Sequence, residues 1–239
     1  MGLEHIRIIL VEPAGALNVG AIARVMKNFG LKTLVLVNPQ CSPLSKDAQK
    51  MAVHAQDVLE CSQQFPSLQK ALANCSQAVA TTARNRNFFK PLDFPKAALS
   101  RLLEISEPVA LIFGSEESGL SNADLQLAQY WMQIPANPEY PTLNLAQSVA
   151  LCCYELFQQS TSNAPEKTVE KSATLGEMDA YLNQMASLLL EIGYLHPHTE
   201  TSRMNKFRQL LYRSTPGSSE IDMLRGVLTQ MQWALKNKK

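Results

Sequence analysis

IRIILVEPAGALNVGAIARVMKNFG, residues 6–30, decides the architecture. An apolar, isoleucine-rich run over 6–11 predicts a strand. A Pro- and Gly-containing turn then leads into apolar positions at helical spacing, predicting a helix over 20–29. Gly30 follows where a helix C-terminal glycine belongs. Strand, short loop and helix in that order form the building unit of a parallel sheet covered by helices. The alternation continues outward, with strands expected over 33–37, 78–81, 109–113 and 131–134 and helices over 67–73, 94–103, 122–128 and 145–158. The expected fold class is therefore α/β, a largely parallel sheet with helices on both faces.

The polar, proline-containing stretch QSTSNAPEKTVEK, 159–171, has no hydrophobic period and reads as a linker. It divides the chain into an expected α/β domain over 1–158 and a small helical extension over 172–239. In the extension, Thr174 and Glu177 fit a capping box ahead of Met178, Tyr181, Leu182, Met185 and Leu189. Ser219 and Asp222 resemble a weaker cap ahead of a stripe formed by Ile221, Leu224, Leu228, Met231 and Leu235. Between these helices, Met204, Phe207 and Leu211 share one helical face, and Arg203, Lys206 and Arg213 share another.

At 239 residues and 46% hydrophobic, the chain can bury one α/β core and still carry a smaller unit. It contains no apolar run near the roughly 20 residues of a membrane span, and its first residues read as a strand, so a cytoplasmic protein without membrane association is expected. Five cysteines without CxxC spacing fit neither a disulfide framework nor a zinc site. His196 and His198 flank a proline and bring no ligand set, so no metal is expected. The net charge of +1 is uneven: residues 201–239 carry eight Lys/Arg against two acids. A basic surface there invites a polyanionic partner, and Arg203, Lys206 and Arg213 are its candidate contacts, although a solvated face accounts for them as well.

Three segments carry candidate chemistry, each just beyond a strand, where open α/β sheets gather ligands. In NVGAIAR, 18–24, Asn18 can cap a helix, Gly20 permits close backbone approach, and Arg24 offers a fork of donors suited to phosphate or ribose. In isolation this stretch is more simply a capped helix with a surface arginine. LIFGSEESGL, 111–120, is a strand ending in a loop with glycines at 114 and 119, which can lay backbone groups against a planar or sugar ligand. It lacks the GxGxxG of a dinucleotide turn and the GxxxxGK[ST] of a phosphate loop, and a tight turn with solvated Glu116 and Glu117 fits it too. IPANPEYPTLNLA, 134–146, is a proline-stiffened loop that sets Thr142 and Asn144 at a helix entry; a stiff connector capped by Asn144 is the plainer reading.

Taken together, NxGAxxR, FGxExxGL, and IP followed by LNLAxSVAxxxYE resemble, in order and spacing, the three signature motifs of the SPOUT RNA methyltransferases of the TrmH-like class. The third motif with a basic helical extension looks closest to the bacterial TrmJ type. The resemblance implies an S-adenosylmethionine-dependent tRNA ribose 2′-O-methyltransferase acting on cytidine or uridine at position 32 of the anticodon loop. It also implies a homodimer and a C-terminal trefoil knot in the catalytic domain, which hydrophobic patterning alone could never suggest. The same resemblance makes Arg24 the catalytic residue with Asn18 beside it. It maps cofactor contacts to Thr81, Thr82, Ala83, Gly114, Glu116, Gly119, Ile134, Thr142, Leu143 and Asn144. Ser115 departs from the pattern, since relatives often carry arginine there, and Arg84 and Arg86 are the substitutes for that RNA contact. Arginine is ordinarily permanently protonated, so Arg24 either takes the hydroxyl proton in an unusual environment or orients the ribose and offsets developing charge. The alternatives are methylation of another tRNA or ribosomal RNA position, or a tRNA-binding protein without catalysis.

Overall fold

The computed structural model describes residues 2–83, 91–161 and 172–237. The chain runs through β1 (Ile6–Val11), α1 (Ala16–Asn28), β2 (Thr33–Val37), α2 (Lys46–Ala52), α3 (Gln56–Glu60), β3 (Gln63–Phe65), α4 (Leu68–Leu72), β4 (Gln77–Thr81), β5 (Leu92–Asp93), α5 (Pro95–Leu103), β6 (Val109–Phe113), α6 (Asn122–Gln126), β7 (Tyr130–Met132) and α7 (Leu145–Thr161). Three further helices follow: α8 (Leu175–Glu191), α9 (Glu200–Ser214) and α10 (Ser218–Asn237). The strands form one seven-stranded parallel sheet in the order β3-β2-β1-β6-β4-β7-β5.

Central β6 is buried at every position, as its continuous apolar sequence VALIF requires of a strand covered on both sides. Ile6, Ile8 and Leu10 of β1 join Val19, Ile22 and Met26 of α1 and Val149, Cys152 and Leu156 of α7 in one core. The alternate residues Ile9, Val35, Ala80 and Ile112 are buried too, so both faces of the sheet are covered. Burial pushes the Cys153 thiol up to about 12 and the Cys152 thiol well above its usual range, which makes them inert core groups.

Several elements differ from the pattern-based expectation. Helix α1 begins at Ala16 rather than at 20, because Gly15 takes the N-cap and places Asn18 inside the first turn. The last central strand is Tyr130–Met132, which leaves Ile134 in the following loop. Elements α2, α3, β3 and β5 carry no periodic signal long enough to read; β3 is a three-residue edge strand with two exposed glutamines. Gly20 does allow a close approach, but to protein: a Cβ there would lie 2.2 Å from the Ala48 carbonyl oxygen of α2.

The chain divides into two compact units, one of Met1–Leu72 with Gln77–Thr168 and one of Ala73–Ser76 with Val169–Lys239. In the second, Thr174 and Glu177 form the expected capping box on α8, with bonds of 2.7 and 3.2 Å. Leu182, Met185, Leu188 and Leu228 form its core, with Met204, Phe207 and Leu211 packed against it. Helix α10 starts at Ser218, and at its entry the Gly217 N–H donates to Glu220 (2.8 Å). The expected α10 stripe is narrower than its sequence: Ile221 and Leu228 are buried, whereas Met231 and Leu235 are exposed.

Gly20→Ala separates helix propensity from packing. Propensity alone would stabilise α1 by about 1 kcal/mol. The clash with Ala48 predicts instead a loss of roughly 1–3 kcal/mol, read as a lower denaturant midpoint; a raised midpoint would contradict this packing.

Candidate active site

The sheet order contains a reversal that locates the site. From β1 the chain winds through β2 to β3, whereas from β6 it passes to β7 on the other side. Ligands of parallel sheets gather outside the carboxyl ends of the strands at such a switch point. Here the crevice between the loops after β1 and β6 is bridged by one side chain. Glu116 accepts hydrogen bonds from the backbone N–H groups of Ala14 and Gly15, both at 3.0 Å, and from the Asn18 amide at 2.9 Å. The Asn144 amide in turn donates to the Asn18 oxygen at 3.1 Å. The Asn144 oxygen accepts from Ala146 and Gln147 and so caps α7. One continuous chain of hydrogen bonds thus joins the three sequence motifs, up to 126 residues apart.

This arrangement revises the part expected of Asn18. Gly15 is the N-cap of α1 and makes no side-chain cap, so the carboxylate of Glu116 supplies from another loop the acceptor that the helix entry lacks. Asn18, on the third helical residue, works as a two-sided connector rather than as a cap. Burial is the strongest single influence on Glu116 and opposes its charge. The Asn18 amide, the N–H groups of Ala14 and Gly15 and its own backbone together outweigh it, and hold the carboxyl below its ordinary 4.5. Next to this junction the Cys41 thiol donates to the Pro13 carbonyl at 3.5 Å, and burial together with the Glu116 charge raises its pKa.

Beside the bridge lies a cavity of about 170 Å³. Nine of the ten expected cofactor positions line it: Thr81, Thr82 and Ala83 after β4, Gly114, Glu116 and Gly119 after β6, and Ile134, Thr142 and Leu143 after β7. The tenth, Asn144, is instead held in the hydrogen-bond chain at the entry of α7. The loop after β6 folds on itself, with Ser115 bridged to Gly119, and leaves no room for a side chain at 114: a Cβ would lie 2.1 Å from the Gly119 carbonyl carbon. Gly119 has φ +65°, which only glycine adopts freely. Sequence reading missed Phe113, Leu120, Pro141, Leu145 and Ser148 in the wall; Ser148, four residues past Asn144 on the same helical face, had a readable signal.

The lining is chemically selective. Its floor is apolar, its hydroxyls come from threonine and serine, and it contains Glu116 and Glu117 but no lysine or arginine among the described residues. Arg24 does not line the cavity; it is exposed on α1 with no ion pair or hydrogen bond among the described residues. Arg84 and Arg86 lie outside the described residues. Arg203, Lys206 and Arg213 are all exposed, and Arg203 also donates to the Tyr194 carbonyl at 2.9 Å and lies over its ring. Among the described residues no three His, Cys, Asp or Glu side chains gather in a metal-binding group.

Because the folded-state pKa of Glu116 is depressed, its bonds stabilise the α1 entry above the ordinary carboxylate value of 4.5 and that contribution vanishes as pH falls through the lower folded value. Hydrogen-exchange protection of the Ala14 and Gly15 amides, corrected for intrinsic rates, should drop over that acid window and be absent at all pH in Glu116→Ala. Protection that is insensitive to both changes would exclude the bridge.

Residues 5–154 match the model of the SpoU rRNA Methylase family, and residues 176–239 match that of the tRNA methyltransferase TrmJ, C-terminal domain. The chain is 37% identical over 236 residues to the tRNA (cytidine/uridine-2′-O-)-methyltransferase TrmJ of Pectobacterium atrosepticum, covering 96% of this chain and 98% of that one. It is 38% identical to the protein of the same name from Klebsiella pneumoniae, covering 99% of this chain and all of the relative. Its structure is similar to that of TrmJ from Z. mobilis ZM4, with a TM-score of 0.84, 35% identity and coverage of 95% and 98% of the two chains. With its three sequence motifs joined at one switch point and both family models matched in order, this chain belongs to the SpoU methylase family and, within it, to the TrmJ methyltransferases.

Proposed function

We propose that this chain transfers a methyl group from S-adenosylmethionine to the ribose 2′-hydroxyl of cytidine or uridine in tRNA, at position 32 of the anticodon loop. The observation that carries the cofactor assignment is the lining of the cavity. Dinucleotides and nucleoside triphosphates bring phosphates, which call for basic side chains or a phosphate-binding loop. This wall offers backbone groups, hydroxyls, an apolar floor and two carboxylates, a set that suits a small zwitterion bearing an extra positive charge. When bound, S-adenosylmethionine supplies a methyl group already activated on a sulfonium sulfur. The tRNA assignment is supported by the names of the relatives and by the TrmJ-type C-terminal domain.

The remaining work falls to the chain: holding the ribose oxygen in line with the methyl group and disposing of its proton. Arg24 is assigned that orienting role. A guanidinium keeps its proton, so it binds the ribose and offsets charge as the oxygen attacks, and the proton leaves to water or a phosphate. Leu17 and Arg24, seven residues apart, lie on one exposed stripe of α1. Leu17 is 54% exposed, and Leu151, Tyr154 and Phe157 of the neighbouring α7 are exposed as well. A homodimer covering this apolar face places Arg24 at the interface, within reach of a second copy. Arg203, Lys206 and Arg213 of α9, exposed away from its core residues, are the proposed tRNA contacts of the helical extension. The trefoil knot and a cytoplasmic location belong to the same proposal, the former supported by family membership and by the convergence of the 81–83, 114–120 and 134–143 segments on one cavity.

Purified protein incubated with methyl-labelled cofactor and bulk tRNA should incorporate label into ribose. Arg24→Ala should lower turnover by about 100-fold or more while cofactor affinity stays within about twofold. Near-normal turnover in that variant removes Arg24 from the chemistry, and no incorporation by the wild type overturns the assignment itself.

A further inference from the structure

We propose that Tyr140 is the stacking platform for the target base, holding it outside the anticodon-loop stack while its ribose is presented at the cavity. The inference rests on the reaction proposed above. Tyr140 is 75% exposed, more than any other large hydrophobic side chain among the described residues. Its ring and hydroxyl have no partner among them. A ring exposed in this way is free to stack on an incoming base.

The backbone under it is held on both sides. The Tyr140 N–H donates to the Asn137 carbonyl at 2.9 Å, closing a turn whose second residue is Pro138. The Glu139 N–H donates to the Asn137 side chain at 3.0 Å, which locks the same turn from within. Pro141 follows and restricts Tyr140 to extended conformations. The next three residues, Pro141, Thr142 and Leu143, form part of the cavity wall. The ring is therefore fixed one residue from the reaction cavity, with only two side-chain torsions free.

The chemistry requires such a group. A ribose in a stacked loop cannot meet a cavity sunk at the end of a sheet unless its nucleotide swings out, and the base then loses its neighbours. An aromatic face at the rim replaces that lost stacking. Stacking is also tolerant of base identity, so one tyrosine serves cytidine and uridine alike.

The test uses full-length protein with S-adenosylhomocysteine and tRNA carrying pyrrolocytidine at the modified position, together with turnover on unlabelled tRNA. Wild type and Tyr140→Phe should change the pyrrolocytidine emission equally. Tyr140→Ala should leave the emission at its free-tRNA value and lower kcat/KM for tRNA by roughly 10- to 100-fold, with the KM for the cofactor unchanged. Tyr140→Ala turnover within about twofold of wild type, or equal losses in the Phe and Ala variants, would overturn the platform. The emission arm needs no turnover: a Tyr140-dependent signal without methylation keeps the platform and refutes the proposed reaction, while methylation with a Tyr140-independent signal does the reverse.

Discussion

The active end of this molecule depends on one carboxylate. Glu116 receives two backbone N–H groups and the amide of Asn18, and Asn18 passes the connection to Asn144 at the head of α7. Each bond alone is worth about 1 kcal/mol. Their value is geometric, because they fix three loops from distant parts of the chain relative to each other. Two of those loops, the one after β6 and the one leading into α7, line the cavity together with Thr81–Ala83 after β4, so much of its wall inherits its placement from this bridge. The ionised state of Glu116 is part of the design: burial works against it, and the assembled donors hold it.

Much of the sheet was legible because its central strands are buried on both sides and read as short, continuous apolar runs such as VALIF. Helices α7 and α8 were equally readable from their periodic apolar faces and, for α8, from its capping box. Short elements were not. QQF at 63–65 is a strand only because β2 lies beside it, and α2 and α3 span seven and five residues. The cavity wall was legible through the ordered motifs, since glycine at 114 and at 119 answers to a clash and to a positive φ that evolution can satisfy in only one way. What stayed hidden was pairing across the chain. Asn18 looked like a helix cap because the residue it serves, Glu116, is 98 positions away. Gly20 looked like a ligand approach because Ala48, its real neighbour, sits in a helix with no sequence signature.

Charge divides the work between the two parts of the protein. The described lining of the cavity carries two carboxylates, Glu116 and Glu117, which suit the positively charged methyl donor proposed above. The cationic residues are concentrated beyond residue 200, where Lys206 and Arg213 face solvent on α9. In the proposed function, a polyanionic substrate is gathered by one surface while the small cofactor is selected by another. Under the proposed function the basic surface supplies affinity with little sequence information, and choice of nucleotide falls to groups at the cavity rim.

The most direct measurement is a map of ribose methylation across all tRNAs from cells with and without this protein. The proposed function predicts 2′-O-methylated cytidine or uridine at position 32 of the anticodon loop in the first population, and an unmethylated ribose at that nucleotide in the second, with other ribose methylations unchanged. Identical methylation maps in the two populations would contradict it.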